Sequence, residues 1–428
     1  MPVTDQAILD YIAAHPGTGR EDIRKAVAPK ASDTTMWRAL RRLTDEGKLT
    51  VSGKARATGY TLAGSAEVRA YLQTPYNKRP AKTYNKEFLD GYLPDKTFYL
   101  STSDRERLNA AGKPAGAPMP AGTYARRILE KLLVDLAWAS SRMEGNTYDI
   151  LQTEQLIKFG EEATGKDRKE AVMILNHKEA IQYLVDNIDE IGINRRDIFN
   201  IHALLSDGLL IDPAMAGRLR RMPAGIGYSS YKPPDDEFII EEEFDIAIQK
   251  AAAITDPFEQ SFFLLVHIPY LQAFADVNKR TSRISSNIPL LKADLAPMSF
   301  ITMDDRAYID GLIGIYETNN VSLLREVYID AYLASADNYK ILRAEVDAPE
   351  KAAVAYRDFV KEAVRSSVLD LKAFDPDAVM AMAEARNVPD EDREEVVAYV
   401  GAQFKGLHEG NVIRYRLKPE DLAGIERE

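Results

Sequence analysis

From about Tyr84 to Lys340 the apolar residues of this chain recur at helical spacing in one segment after another. The pattern covers residues 124–139, 153–159, 168–187, 194–205, 241–254, 257–270 and 280–287. A succession of amphipathic helices buries its apolar faces against other helices, so the fold class expected here is mainly α, with an all-helical central core. The one clear interruption is GRLRRMPAGIGYSSYKPPDDE, residues 217–237, whose Gly, Ser and double Pro read as an exposed β-hairpin flap. The run AAGKPAGAPMPAG (110–122) contains Gly-Lys, but Pro follows at the wrong spacing for a phosphate-binding P-loop, and it reads as a surface loop. Beyond Ala348 further amphipathic helices, broken at Asp375-Pro376 and Pro389, make a C-terminal helical extension, with a strand expected over 412–417.

The first 65 residues have a different rhythm. Ile8, Leu9 and Ile12 form one apolar face, ended by His15-Pro16-Gly17. Residues 20–28 supply a second, with Pro29 just after. Ser32 or Asp33 caps a third helix that points Met36, Trp37, Leu40 and Leu43 inward and leaves Thr34, Thr35, Arg38, Arg41 and Arg42 outside. KLTVSGKARATGYTLA (48–63) then alternates around Ser52-Gly53, as a hairpin does. Three helices and a basic hairpin resemble the winged helix-turn-helix family over the whole stretch. That resemblance implies a third helix in the DNA major groove, read by Thr34, Arg38, Arg41 and Arg42, and a wing on phosphates. The same scaffold also serves protein contacts. Up to Ser65 there are 10 Lys/Arg against 7 Asp/Glu, while the whole chain carries −11. An acidic bulk repels nucleic acid and a small basic module attracts it. So modest a positive charge favours a homodimer over a tightly binding monomer.

At 428 residues the chain is long enough for two or three domains. We expect residues 1–66 to be the winged module, 67–83 a linker, 84–344 the helical core and 345–428 the C-terminal region. The absence of cysteine excludes disulfides, thiolate metal sites and a Cys nucleophile. With no apolar run near the ~20 residues of a membrane span and no secretion signal at the N-terminus, a cytoplasmic protein without a membrane partner is expected.

Residues 271–283, LQAFADVNKRTSR, concentrate the chemistry. Asp276, Val277 and Asn278 sit in a turn that feeds a helix beginning near Asn278 or Lys279. Free N–H groups and the helix dipole make such a terminus an anion site. Lys279, Arg280 and Arg283 add charge, and Asp276 suits a Mg²⁺ ion shared with phosphate oxygens.

The stretch resembles the Fic (Fido) signature His-x-Phe-x-Asp/Glu-x-Asn-Gly/Lys-Arg-x-x-Arg, with Phe274, Asp276, Asn278, Lys279, Arg280 and Arg283 on pattern positions. Upstream, SSRMEGN places Ser140, Glu144 and Gly145 on the family's inhibitory pattern, expected on a helix near 135–146. Gly217-x-x-Arg220 and the flap make a third agreement, and the resemblance covers roughly residues 80–340. It implies a protein adenylyltransferase (AMPylation) that moves AMP from ATP to a hydroxyl of a target protein. Asp276 would hold Mg²⁺, and Asn278, Lys279, Arg280 and Arg283 would bind the nucleotide. Tyr308 would wall the adenine, although its place after the motif reads more readily as a core aromatic, and Gly227, Tyr228, Ser229 and Tyr231 would dock the target by strand addition. Glu144 would inhibit by claiming Arg283 from the γ-phosphate.

Two departures stand out. Lys279 replaces the commoner glycine, and some relatives with Lys here transfer the γ-phosphate instead. Gln272 occupies the position of the catalytic His. Imidazole, with a pKa near ~6.5, accepts a hydroxyl proton at neutral pH, whereas a carboxamide only hydrogen-bonds. Loss of a general base typically costs about 10²–10⁴ in rate. Among five histidines, His15 and His408 lie outside the core, His202 reads as a core residue, and His267, five residues before Gln272, turns away from it. The functional expectation is an ATP-binding Fic-like protein with a DNA-binding module. The alternatives are a non-catalytic nucleotide-sensing transcriptional regulator and a Lys-type phosphotransferase.

Overall fold

The computed structural model of the chain describes residues 4–53, 58–113, 121–346 and 355–423, and is mainly helical. It divides into two units, residues 1–340 and 341–428. No helix among the described residues is long and apolar enough to cross a membrane.

The first helices are α1 (Asp5–Ala14), α2 (Arg20–Val27) and α3 (Asp33–Asp45). Thr4 and Ser32 cap α1 and α3, their hydroxyl oxygens accepting the N–H of Ala7 and Thr35. Ile8, Ile12, Ile23, Met36, Leu40 and Leu43 meet in a small core. Trp37, expected inward, is 40% exposed, with the Arg41 guanidinium 5.2 Å over its ring. Positions 36, 40 and 43 already fill the inward stripe, and position 37 lies about 100° around the helix from 36. Strand β1 (Leu49–Ser52) pairs antiparallel with β2 (Gly59–Leu62), Ser52 opposite Gly59. Ser52, expected in the turn, is thus the last residue of β1; residues 54–57 lie outside those described, as do 114–120 of the expected surface loop.

The stretch expected as a linker is structured. Its start lies in α4 (Gly64–Leu72), and its end is the two-residue strand β3 (Lys82–Thr83). The core that follows comprises α5 (Lys86–Asp90), α6 (Thr102–Gly112), α7 (Thr123–Arg127), α8 (Leu129–Arg142), α9 (Ile150–Phe159) and α10 (Arg168–Asp186). It continues with α11 (Arg195–Ser206), α12 (Glu237–Ala253), α13 (Pro257–Leu271), α14 (Asn278–Ser285), α15 (Asn287–Lys292), α16 (Asp305–Thr318) and α17 (Ser322–Val346). Helix α13 is the central pin: nearly every residue from Phe258 to Leu271 is buried, because α6, α12, α14, α15 and α16 all pack on it. Pro257 opens it behind an Asp256 cap. Its buried Glu259 accepts hydrogen bonds from the Tyr92 hydroxyl and the N–H groups of Tyr99 and Leu100. Each Phe or Leu buried along α13 contributes about 1.5–3 kcal/mol.

The flap is not a hairpin. Strand β4 (Tyr231–Lys232) pairs parallel with β3, Lys82 opposite Tyr231. The Tyr231 ring lies between Tyr270 and Tyr316, at 5.2 and 5.5 Å, and its hydroxyl donates to the Tyr270 carbonyl. Pro233 and Pro234 follow at once and lack the N–H groups to extend the ladder. A buried carboxylate, Glu317 at the end of α16, ties this region together. It accepts from Ser229 Oγ at 2.7 Å, Ser230 N at 3.0 Å, Arg79 Nη1 at 2.9 Å and the Tyr71 hydroxyl of α4 at 2.8 Å.

The C-terminal unit holds α18 (Arg357–Ser366), α19 (Pro376–Ala385) and α20 (Asp390–Lys405) around Phe359, Val364, Val396, Val400 and Phe404. The strand expected over 412–417 is a 3₁₀ turn, Val412–Tyr415. Its buried residues, Val412 and Tyr415, are three apart, the 3₁₀ period, rather than the strand's two.

Candidate functional site

The loop from α13 to α14 is bent by two non-glycine residues in the left-handed region, Gln272 (φ 51°) and Val277 (φ 67°). Such residues cost on the order of 1–2 kcal/mol each unless their surroundings fix them. Here the surroundings do. Arg220 donates from its backbone N to the Ala273 carbonyl at 2.9 Å and from Nε to the Gln272 carbonyl at 2.6 Å. The Asn278 amide closes the loop on itself, accepting from Phe274 N at 2.9 Å and donating to Phe274 O at 2.9 Å. His202 supports it from below: its ring stacks on Phe274 at 4.0 Å, and its Nδ1 accepts from Gly217 N at 3.0 Å. Nε2 therefore carries the proton, which it donates to the Asp276 carbonyl at 3.2 Å. Burial pushes the His202 pKa down to about 4.

This scaffold presents an anion-binding turn. Helix α14 begins at Asn278 behind Val277, with no side chain capping its first N–H groups. Arg280 is 6% exposed on its side chain, yet Nε and Nη1 have no hydrogen-bond partner; its nearest carboxylate, Asp276, stands 3.6 Å from Nη2. Unpaired buried guanidinium nitrogens are costly and fit a site built for an anion. Asp276 keeps its side chain 68% exposed, with Oδ1 accepting from Val277 N. Among the described residues no three His, Asp or Glu side chains cluster as a metal cage. A Mg²⁺ ion at this site would take Asp276 and phosphate oxygens, and would supply neutralising charge.

Arg283 is fully buried, and each face of its guanidinium edge is occupied. Nη2 donates to Glu144 Oε1 at 2.6 Å and to the Ser140 carbonyl at 3.0 Å, and Nε donates to Ser140 Oγ at 2.9 Å. The second Glu144 oxygen pairs with Lys279 Nζ at 3.0 Å. Burial alone would raise the Glu144 pKa, but the charges of Arg283 and Lys279 outweigh it and hold the carboxyl at about 2. Ser140 relays the contact to His177. The imidazole Nδ1 donates to the Met173 carbonyl at 2.8 Å, so Nε2 is the acceptor for the Ser140 hydroxyl at 2.8 Å. Burial keeps His177 neutral, with a pKa near 3. Glu144 lies beyond the end of α8, in the turn where Gly145 adopts φ +89°, a conformation that glycine adopts without strain. It was expected on the helix; the turn instead aims it back at Arg283.

Gln272 sits at the loop's entrance, but its amide is used structurally: Nε2 donates to the Pro269 carbonyl at 2.8 Å, and Oε1 accepts from Asn278 at 3.2 Å. His267 does not replace it. Its Nε2 is 2.8 Å from the Tyr99 hydroxyl, its ring packs on Phe263, and burial lowers its pKa to about 3. Of the other site positions, Tyr308 is the core aromatic that its sequence favoured, and Tyr231 departs from expectation. Tyr308 is fully buried beneath Arg283, whose Nη1 donates to its hydroxyl at 3.4 Å. Tyr231, expected at the docking surface, has its ring in the core. Of the other flap residues, Gly227 is exposed, Ser229 is held by Glu317, and Tyr228 is 78% exposed, edge-on to Tyr76.

On α3, Thr34, Arg38, Arg41 and Arg42 all face solvent. Arg41 pairs with Asp45 and Arg42 with Asp5 and Glu46, while Arg38 makes no ion pair among the described residues. Sequence reasoning missed His177 and His202 as supports of the site and Glu317 as an anchor of the flap. Nothing in their spacing marks them, because their partners lie far along the chain.

Residues 192–290 match the family model described as "Fic/DOC family". The chain is 26% identical to "Protein adenylyltransferase Fic" of Nematostella vectensis over 56% of this chain and 57% of that protein. It is 25% identical to "Protein adenylyltransferase fic-1" of Caenorhabditis elegans over 41% of this chain and 35% of that protein. The chain thus spans about a third to just over half of these curated relatives' length. A solved Fic family protein from Desulfovibrio desulfuricans is 18% identical, with TM-score 0.47, covering 62% of this chain and 81% of that one. The loop, with its uncapped helix start and buried arginines, lies inside the matched stretch, so residues 192–290 are a Fic/DOC family domain.

Proposed function

We propose that this protein binds ATP·Mg²⁺ at the start of α14 as a Fic-type protein of adenylyltransferase kind, held back by Glu144, with α3 serving a winged-helix DNA-binding module. The observation that carries the reading is the contrast between two buried guanidiniums one turn apart. Arg283 is filled by Glu144, whereas Arg280 keeps two nitrogens unpaired. In this reading the site is half satisfied from within and half open to a polyphosphate. Asp276 is the exposed carboxylate for the metal, and Lys279 and Arg280 take phosphate oxygens. Arg283 becomes available when Glu144 swings away.

Glu144 is ionised and doubly paired at neutral pH, so its departure has to be compensated by phosphate oxygens on the same two cations. Gln272 holds no proton acceptor at the entrance, and transfer to a target hydroxyl is slower than with imidazole there by about 10²–10⁴. Binding is the stronger output of this site, and the nucleotide-sensing regulator is therefore the second reading.

Calorimetric titration with ATP·Mg²⁺ tests the proposal. The intact chain should bind, Glu144→Gly should bind at least about tenfold tighter, a gain of about 1.4 kcal/mol, and Arg280→Ala should bind weakly. No heat from any of the three would overturn it.

A further inference from the structure

The C-terminal unit carries 14 Asp/Glu against 10 Lys/Arg over residues 355–423, yet one cleft in it breaks that balance. The cleft, of about 430 Å³, is lined by Arg357, Lys361, Tyr399, Gln403, Arg414 and Tyr415, with no carboxylate among its described walls. Arg357, Lys361 and Arg365 stand at i, i+4 and i+8 on α18, one face of the helix. Like charges at this spacing destabilise a helix, and here no described carboxylate pairs with Arg357 or Lys361. Glu362, beside them in sequence, pairs instead with Arg386.

The opposite wall is fixed rather than loose. The Tyr415 hydroxyl donates to Gln403 Oε1 at 2.6 Å, and Arg414 Nη2 donates to the same oxygen at 3.4 Å. The Arg414 guanidinium also lies 5.5 Å from the Tyr415 ring centroid. Arg414 is therefore held in place before any ligand arrives, and preorganisation of this kind favours binding. Three cations without a carboxylate partner among the described residues, in a concavity on a unit that is otherwise acidic, are stabilised by an anion with more than one charge. The volume falls within the few hundred Å³ typical of small-molecule sites. Tyr399, half-buried at the rim, offers a ring for a planar group, and stacking on an aromatic side chain is how bases are held without sequence preference.

We propose that this cleft is a second, separate anion site, in which Arg357, Lys361 and Arg414 take the phosphates of a nucleotide whose base lies against Tyr399. It is independent of the loop before α14 and needs neither Glu144 nor Arg283. The shared chemistry, phosphate plus base, is supplied equally by a free nucleotide or by a short single strand, and the test separates the two.

The full chain is titrated with ADP, then with a thymidine hexanucleotide, in parallel with Lys361→Glu/Arg414→Glu and with Arg280→Ala. Both charge reversals are at accessible positions, and an unchanged thermal transition confirms that the unit is folded. Two ADP sites are expected in the unmodified chain. The double reversal should weaken one at least tenfold and leave the other, Arg280→Ala should do the opposite, and the charge-keeping Lys361→Arg/Arg414→Lys should retain both. Hexanucleotide binding tenfold tighter than ADP, lost in the same double reversal, makes a strand the source of the phosphates. Equal or weaker hexanucleotide binding makes it a nucleotide. If the double reversal changes neither ligand's affinity, the cleft is not an anion site and the proposal falls, whatever happens at the other site.

Discussion

The arginines of α14 and those of α3 look alike in the sequence and differ sharply in the fold. Both helices carry arginines three residues apart, Arg280 and Arg283 on one, Arg38 and Arg41 on the other. On α14, Arg280 and Arg283 are buried, one with two nitrogens unpaired and the other gripped by Glu144. On α3, Arg41 and Arg42 are exposed and neutralised by their own neighbours Asp45, Glu46 and Asp5. Surface pairs of this kind contribute about 0–1 kcal/mol and are easily exchanged for another partner. A buried cation is costly until something compensates it, so Arg283 with Glu144 and Arg280 with two unpaired nitrogens both mark charge committed to a site.

The largest effect expected from this contrast is catalytic. If the α14 site lacks only its proton acceptor, Glu144→Gly/Gln272→His should transfer label from ATP about 10²–10⁴ faster than Glu144→Gly alone. Transfer is measured as radioactivity incorporated into lysate protein. Equal rates would show that more than the base is missing, the first suspect being the Gln272 amide's hold on Pro269 and Asn278.

Stability separates the two helices next. Arg283→Met leaves Glu144 buried beside Lys279 alone and should cost about 3–5 kcal/mol in chemical denaturation. Arg42→Ala removes exposed pairs and should stay within about 0.5 kcal/mol. Comparable losses at the two positions would mean that burial does not separate the α14 arginines from those of α3.

Acid gives a graded version of the same difference. Glu144 has its folded pKa depressed from 4.5 to about 2, so its contribution is fully present above 4.5 and lost as pH falls through 2. At 1.36 kcal/mol per pH unit that contribution is about 3 kcal/mol. His177, His202 and His267 have folded pKa values lowered by burial from 6.5 to about 3, 4 and 3. Each is neutral in both states above 6.5 and costs about 1.4 kcal/mol of stability per pH unit below it, until its folded pKa is reached. Denaturation midpoints should therefore fall steeply from pH 6.5 to 4. Glu144→Gln should flatten only the part below about 4.5. A flat profile between 6.5 and 4.5 would show that the imidazoles are not held neutral.

Much of this was legible in the sequence because it is local. The helical period placed α8 to α14 within a few residues, since each amphipathic face has one way to be buried. Asp276, Asn278, Arg280 and Arg283 share one turn and a helix start, so spacing alone put them together. Glu144 needed a second motif, and its contact with Arg283 spans 139 residues. What failed was set by distant partners. Trp37 was displaced by a stripe already full, and the Tyr231 ring was taken into the core between Tyr270 and Tyr316. The flap hairpin was replaced by a strand partner at residues 82–83, which pattern reading of residues 217–237 had no means to supply. The His177–Ser140 relay left no trace in the sequence either, because a buried imidazole looks like any core residue until its neighbour is known.

The smallest effect returns to α3. If this helix meets DNA, its arginines are not equivalent, because among the described residues Arg38 has no competing carboxylate while Arg42 has two. A phosphate that recruits Arg42 must first displace Asp5 and Glu46, which cancels part of the gain; one that recruits Arg38 meets no such ion pair among the described residues. Arg38→Ala should therefore weaken binding to a mixed duplex severalfold and lower the slope of log affinity against log salt by about one. Arg42→Ala should change the affinity by less than about twofold. Equal losses would mean that the α3 ion pairs open freely on DNA. No affinity at any salt would leave the exposed face of Trp37 and Arg41, one aromatic ring beneath a guanidinium, as a surface for protein rather than for phosphate.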